Sequence, residues 1–147
     1  MFKLVKILGS NSNVPEPIKI DVDVSNNLEA GCIYYIDNCS IIAEPGNWYA
    51  PMVCALQDVI ISDCTVTGLC FFITPDMIFE TTVANAGDIV YSGAPFKLVF
   101  GSQHHGVSIS TSVGEGQNVV GIIVNADSYK STGKVLVKFH CTKGEKE

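Results

Sequence analysis

The stretch Ile18-Lys19-Ile20-Asp21-Val22-Asp23-Val24 alternates apolar and charged residues without a break. Successive side chains on a strand point to opposite faces, so this pattern predicts a strand with one buried and one wet face. Ser25-Asn26-Asn27 ends it. Upstream, Phe2 to Leu8 reads as a first strand, closed by the polar run 9–13 and by Pro15 and Pro17. From Leu28 onward, short apolar stretches and turn residues follow one another at 32–36, 39–43, 49–56, 59–62, 65–73, 77–83, 88–91, 96–100, 107–111, 119–125 and 134–140. Each reads as a strand. Thr74-Pro75-Asp76 offers a helix cap and a first turn, yet Met77 to Val83 carries no 3.6-residue period. A tight turn between strands is expected there.

Composition strengthens the β reading. Valine and isoleucine total 32 residues against 15 for alanine and leucine. β-branched side chains lose rotamer freedom on a helix and pack well on a pleated sheet. With 47% hydrophobic and 16% charged residues, the chain is too apolar to be disordered. The expected fold is one all-β domain, a sandwich or partly open barrel of about ten to twelve short antiparallel strands. Residues 1–27 form an N-terminal arm or first hairpin, and residues 28–147 form the β domain, ending in the solvated tail Lys143–Glu147.

A weak internal repetition runs through the domain. Ala30-Gly31-Cys32-Ile33-Tyr34-Tyr35 is echoed by Ala86-Gly87-Asp88-Ile89-Val90-Tyr91. Val53 to Asp58 has a counterpart in Val120 to Asn125, and Gly68 to Phe72 in Gly133 to Val137. The repetition implies two related β-subunits sharing a core.

Charge and chemistry narrow the function. All nine basic residues are lysine, against 15 acidic residues, for a net charge of −6. Without arginine the chain lacks the bidentate fork favoured in phosphate and base recognition, so nucleic acid is not an expected partner. No apolar run approaches the ~18 residues of a membrane span, and the N-terminus has no secretory apolar region, so a cytosolic chain is expected. Six cysteines at 32, 39, 54, 64, 70 and 141 form no CxxC pair. Cys54 and Cys70 lie inside apolar runs, where cysteine acts as a small hydrophobe, so reduced core thiols are expected. His140-Cys141 sets an imidazole beside a thiol, whereas a zinc site needs four ligands at useful spacing, so no metal is expected. His104-His105 sits between Gly101 and Gly106, at a loop tip. GxSxG, P-loop and HExxH motifs are absent. No catalytic residue and no cofactor is expected, and the chain does not read as an enzyme.

What remains is recognition through surface. Asn47-Trp48-Tyr49-Ala50-Pro51 places the sole tryptophan in a turn beside a tyrosine, and such aromatics are enriched as interface anchors. Trp48, Tyr49 and, at the N-terminus, Phe2 are the candidate partner-binding residues. Tyr34, Tyr35, Tyr49 and Tyr91 offer an alternative, a small-ligand or carbohydrate-binding β module with aromatic stacking.

Ala86-Gly87-Asp88-Ile89-Val90-Tyr91, Val119-Val120-Gly121-Ile122-Ile123-Val124 and Lys134 to Phe139 stand in an order that resembles the auxiliary or decoration proteins on capsids of tailed bacteriophages. The resemblance covers about residues 28–140 and is one of style and spacing. It implies an all-β structural virion protein on the capsid surface, assembled in the host cytoplasm. Its implied partners are the major capsid protein and copies of itself, as a homotrimer, with no membrane and no nucleic acid. A more remote resemblance is to the trimeric dUTP pyrophosphatases, through Ala30-Gly31 to Gly46 and Gly121 to Tyr129. That family's catalytic acid position is Val124 here, and its arginine-bearing segments have no counterpart in a chain without arginine.

Overall fold

The computed structural model describes residues 1–22, 28–37, 40–42, 52–58, 66–99, 107–113 and 119–139. Their elements run β1 (Lys3–Ile7), β2 (Ile18–Val22), β3 (Ile33–Asp37), β4 (Ser40–Ile42), β5 (Met52–Ala55) and β6 (Val66–Phe72). Then come β7 (Met77–Thr82), β8 (Pro95–Val99), β9 (Ser108–Ser110), β10 (Gly121–Asn125), α1 (Tyr129–Thr132) and β11 (Lys134–Phe139). Two sheets result, one in the order β1-β7-β11-β10-β8-β9 and one in the order β4-β3-β5-β6-β2. A single parallel bridge, Asp21 to Ser40, brings the end strands of the second sheet together. The all-β expectation holds, and alternation is the reason. β7 buries Met77, Phe79 and Thr81 while Ile78, Glu80 and Thr82 face outward, and β11 buries Val135, Val137 and Phe139.

The same five-strand pairing scheme occurs twice. In the first unit β2 pairs antiparallel with β6, β3 with β4 and β5, and β5 with β6. In the second, β7 pairs antiparallel with β11, β8 with β9 and β10, and β10 with β11. The parallel bridge recurs too, as Val83 to Ile109 just past β7. Each unit enters its second strand through a left-handed glycine, Gly31 at φ +86° and Gly93 at φ +96°. The Gly31 N–H donates to Ala55 O at 3.0 Å and the Gly93 N–H to Ile123 O at 2.6 Å. Only glycine occupies that backbone region without steric cost.

The repeat visible in the sequence is therefore real in topology but shifted in alignment. Gly31 corresponds to Gly93 rather than Gly87, and the pairing of Tyr34 with Val53 and of Phe96 with Gly121 makes Val53 the counterpart of Gly121 rather than of Val120. A shift of one residue on a strand exchanges its two faces, which is why sequence similarity alone misplaces it. The strand expected at 88–91 is absent. Ile89 and Tyr91 are 77% and 55% exposed, and Asp88 instead receives the Thr111 N–H at 3.1 Å. Residues 84–94 are a loop fastened to β9.

β1 lies on β7 in one sheet and β2 lies on β6 in the other, with Phe2 anchored between the units. The Phe2 N–H donates to Gly31 O at 2.8 Å, and its ring meets Phe79 edge-on at 6.1 Å and Phe139 at 5.8 Å. Phe71 of β6 stacks on Phe79 of β7 at 6.1 Å, and Phe139 meets Phe79 edge-on at 5.6 Å. Such aromatic pairs contribute about 0.5–1.5 kcal/mol each beyond the area they bury. Through them the two units share one core, with Ile33, Val53 and Cys70 from the first and Phe96, Ile123 and Val137 from the second. The tight turn expected at Thr74-Pro75-Asp76 forms, with the Met77 N–H donating to Thr74 O at 3.2 Å. α1 is a single turn that alternation did not announce. It is held by the Thr132 N–H and hydroxyl, both donating to Ser128 O at 2.8 Å.

Candidate interaction surfaces

Phe2, expected at a partner contact, is 4% exposed. Its ring is a core element of its own chain, because β1 docks on β7 and carries it inward. Trp48 and Tyr49 lie outside the described residues, as do all three histidines, Cys39, Cys64, Cys141, the strand expected at 59–62 and the 143–147 tail. Of the tyrosines considered for stacking, Tyr34 and Tyr35 are buried on β3 and Tyr91 is exposed. The Tyr34 hydroxyl accepts the Glu29 N–H at 2.9 Å, and burial pushes its pKa far above the ordinary phenol value.

Cys32, Cys54 and Cys70 are buried, and the Cys32 thiol donates to Glu29 Oε1 at 3.1 Å. Burial raises both Cys54 and Cys70 to about 12, so neither offers a thiolate near neutral pH. The best-formed cleft, about 260 Å³, lies between β1, the 13–15 loop and the facing strands β5 and β6. Leu4, Val14, Pro15, Cys54, Leu56 and Phe71 line much of it, and its Asn13 side-chain oxygen already accepts the Ile7 N–H at 3.1 Å. The cleft is an apolar surface, without a group placed to move a proton. Among the described residues no cluster of three or more His, Cys, Asp or Glu is placed to hold a metal ion, and no helix is long and apolar enough to cross a membrane.

The most organised polar arrangement lies on the second unit. Ser110, fully buried on β9, donates to Asp88 Oδ2 at 2.8 Å and accepts from Asn85 Nδ2 at 3.3 Å and the Ser112 N–H at 3.1 Å. One donated and two accepted bonds use the whole capacity of a hydroxyl. The Thr111 hydroxyl adds a bond to Ile89 O at 2.9 Å. This network holds the 84–91 loop in place, and the loop carries Ile89 and Tyr91 outward. Sequence reading placed both in a strand, offering Tyr91 for aromatic stacking and missing Ile89. The available signal was Asp88 after a glycine, a residue pair typical of turns.

A second surface also escaped the sequence reading. On the six-stranded sheet, register aligns Lys6, Ile78, Lys138, Ile122 and Pro95 in one row across five strands, on the face turned from the core. Lys3 and Lys134 flank that row, and Lys134 Nζ lies 4.0 Å from Glu80. Lys134-x-Leu136-x-Lys138 is legible as alternation, but the cross-strand row requires the pairing register.

No family model, curated protein or solved structure matches the chain.

Proposed function

We propose that the chain is a structural protein that decorates and stabilises the capsid shell of a tailed bacteriophage through protein–protein contacts, acting as copies of itself on the major capsid protein. The observation that carries this reading is the fastened loop with its exposed anchors. Ile89 and Tyr91 stand in solvent on a segment whose backbone and side chains are tied to β9 by Asp88, Ser110 and Thr111. An apolar and an aromatic side chain held rigidly in water lose little entropy on docking, which is what a contact residue requires. The doubled β-scaffold supports the same reading, since a stiff two-sheet body suits a protein that works by its surface. The shell as partner comes from the resemblance of residues 28–140 to capsid decoration proteins.

Co-sedimentation with purified shells tests it. The wild-type chain is expected to pellet with shells at micromolar concentration, and Ile89→Ser/Tyr91→Ala to weaken binding by about tenfold or more, the loss of ~1.4 kcal/mol. A wild-type chain that stays in the supernatant at saturating shell concentration overturns the proposal.

A further inference from the structure

Met1 and Cys32 stand 31 residues apart in the chain, yet Cys32 Sγ lies 3.4 Å from Met1 Sδ. The same thiol donates to Glu29 Oε1 at 3.1 Å. It is also hydrogen-bonded to the Tyr34 hydroxyl, which accepts the Glu29 N–H at 2.9 Å. A thiol, a thioether, a carboxylate and a phenol thus meet around one sulfur. Cys32 is fully buried, Glu29 is half-buried and Met1 is 43% exposed, so the thioether is the sulfur open to solvent.

The backbone fixes Met1 at this place. Its nitrogen donates to Val107 O at 2.7 Å, its carbonyl accepts the Thr81 hydroxyl at 3.0 Å, and the Phe2 N–H donates to Gly31 O at 2.8 Å. Thr81 lies on β7 and Val107 just before β9, in the second unit, whereas Gly31 and Cys32 lead into β3 of the first. The Met1 side chain passes over Gly31, where an added methyl group would stand 3.4 Å from Met1 Cε. The two sulfurs therefore meet at the junction of the units, and hydrogen bonds to both units hold the segment that brings them together.

We propose that the Met1 thioether and the Cys32 thiolate form a site for a soft monovalent metal ion, Cu(I), at the junction of the two units. Thiolate and thioether sulfur select Cu(I) over harder cations. A metal–sulfur bond is about 2.3 Å, so one ion reaches two sulfurs 3.4 Å apart, and the unbranched Met1 side chain adjusts to it. Zn(II) takes four ligands from cysteine, histidine and carboxylate, and among the described residues only Cys32 and Glu29 of that kind stand here. Loading replaces the thiol proton. The Cys32 S–H bond breaks, a Cu–S bond forms with no change of oxidation state, and the proton passes to the Glu29 carboxylate that already accepts it and from there to solvent. The site is separate from the shell contacts at Ile89 and Tyr91, and neither reading depends on the other.

Carbon-13 labelling of the methionine methyl groups reads the site directly, because the chain has three methionines, at 1, 52 and 77. In the reduced chain, without oxygen, titrated Cu(I) is expected to shift the Met1 methyl resonance and to leave those of Met52 and Met77 in place. Met52→Leu and Met77→Leu assign the three signals. Buffering the free Cu(I) with bicinchoninate turns the shift into an affinity. Cys32→Ser is expected to weaken that affinity by at least ~100-fold, and Glu29→Gln, which keeps both sulfurs, by about tenfold. Zn(II) is expected to leave the Met1 methyl where it is. The wild-type titration decides without any variant, since a Met1 methyl that stays in place at saturating Cu(I), or one that moves no more than Met52 and Met77, overturns the site. A Met1 shift of unchanged affinity in a folded Cys32→Ser chain, or an equal shift with Zn(II), overturns it too.

Discussion

Gly121→Ala is a small change in composition and a large one in this fold. Gly121 begins β10 and sits between β8 and β11, paired with Phe96 on one side and Phe139 on the other. A methyl group built there meets the Lys138 carbonyl oxygen far inside contact distance, and stands 2.9 Å from Phe139 Cα and 2.9 Å from Phe96 Cε2. Two of these three neighbours are backbone on the paired strand, so no rotamer change relieves them. The Phe96 ring is fully buried and edge-on to Phe139 at 5.6 Å, which leaves it no free volume to enter. The strand pair must part, and overpacking of this kind costs about 1–3 kcal/mol, with backbone clashes at the upper end. For a domain of this size ~3 kcal/mol corresponds to a melting temperature lower by roughly 6–12 °C.

Gly87→Ala supplies the internal contrast. Gly87 is exposed, has nothing within 4 Å of an added methyl and does not occupy the left-handed region. The same substitution there removes unfolded-state entropy and is expected to stabilise by about 0.4–1 kcal/mol. Chemical denaturation of both variants with the wild type, at fixed protein concentration, checks the pair. A Gly121→Ala chain within 0.5 kcal/mol of wild type refutes the packing argument, and so does a Gly87→Ala chain destabilised as much as Gly121→Ala.

Other outcomes follow from the same contacts. Phe79→Ala empties the site where Phe2, Phe71 and Phe139 converge, and is expected to cost about 3–5 kcal/mol by denaturant titration. Asp88→Ala takes the acceptor from the buried Ser110 hydroxyl and the Thr111 N–H. It is expected to cost about 1–3 kcal/mol and to speed hydrogen exchange at the Thr111 amide, whereas Asp88→Asn keeps an acceptor and most of the protection. Cys54 and Cys70 are expected to resist alkylation at pH 8 in the native chain and to react in denaturant, read by peptide mass spectrometry. Their pKa values rise on folding from 9.0 to about 12, so the unfolded chain releases these protons first. Stability from this source is full below pH 9 and declines as pH climbs toward 12, which a pH series of melting curves reads.

The sequence carries the fold's elements more clearly than their partners, and the reason is physical. Alternation in Met77–Thr82 and Lys134–Phe139 marks strands because burial on one face is a local consequence of a period of two. It leaves open which strand lies beside which, since hydrogen-bond ladders accept almost any side chain. The segment 88–91 shows the limit. Asp88-Ile89-Val90-Tyr91 has the β-branched and aromatic character of a strand, yet Asp88 finds acceptor duty toward Ser110 and Thr111 and the segment stays a loop. A side chain competing for local backbone and hydroxyl donors overrides propensity there. Phe2 fails as a surface residue for a related reason. Residues 1–27 contain enough polar sequence to suggest an arm, but Phe2, Leu4 and Ile7 meet apolar positions of β7 only once the distant strand is in place.

The two related units bring sequence and surface together. Their shared pairing scheme fixes backbone geometry and leaves the outward positions free to diverge, and charge has diverged most. Lys19 of β2 stands where Glu80 stands on β7, and outward lysines of β11 face no equivalent on β6, where Phe71 turns into the core and Phe72 is 43% exposed. Core positions change in compensating pairs instead. Tyr34 beside Val53 in the first unit becomes Phe96 beside Gly121 in the second, the glycine making room for the Phe96 ring, whose Cε2 would stand 2.9 Å from an added methyl. Val53→Gly is therefore expected to open a cavity beside Tyr34 and to destabilise the chain by more than 2 kcal/mol, about the loss for deleting a fully buried aliphatic side chain plus the cost of glycine in a strand. Gly121 tolerates no side chain for the converse reason. Equivalent positions in two copies of one topology thus answer oppositely to substitution, because each is sized by the ring across from it.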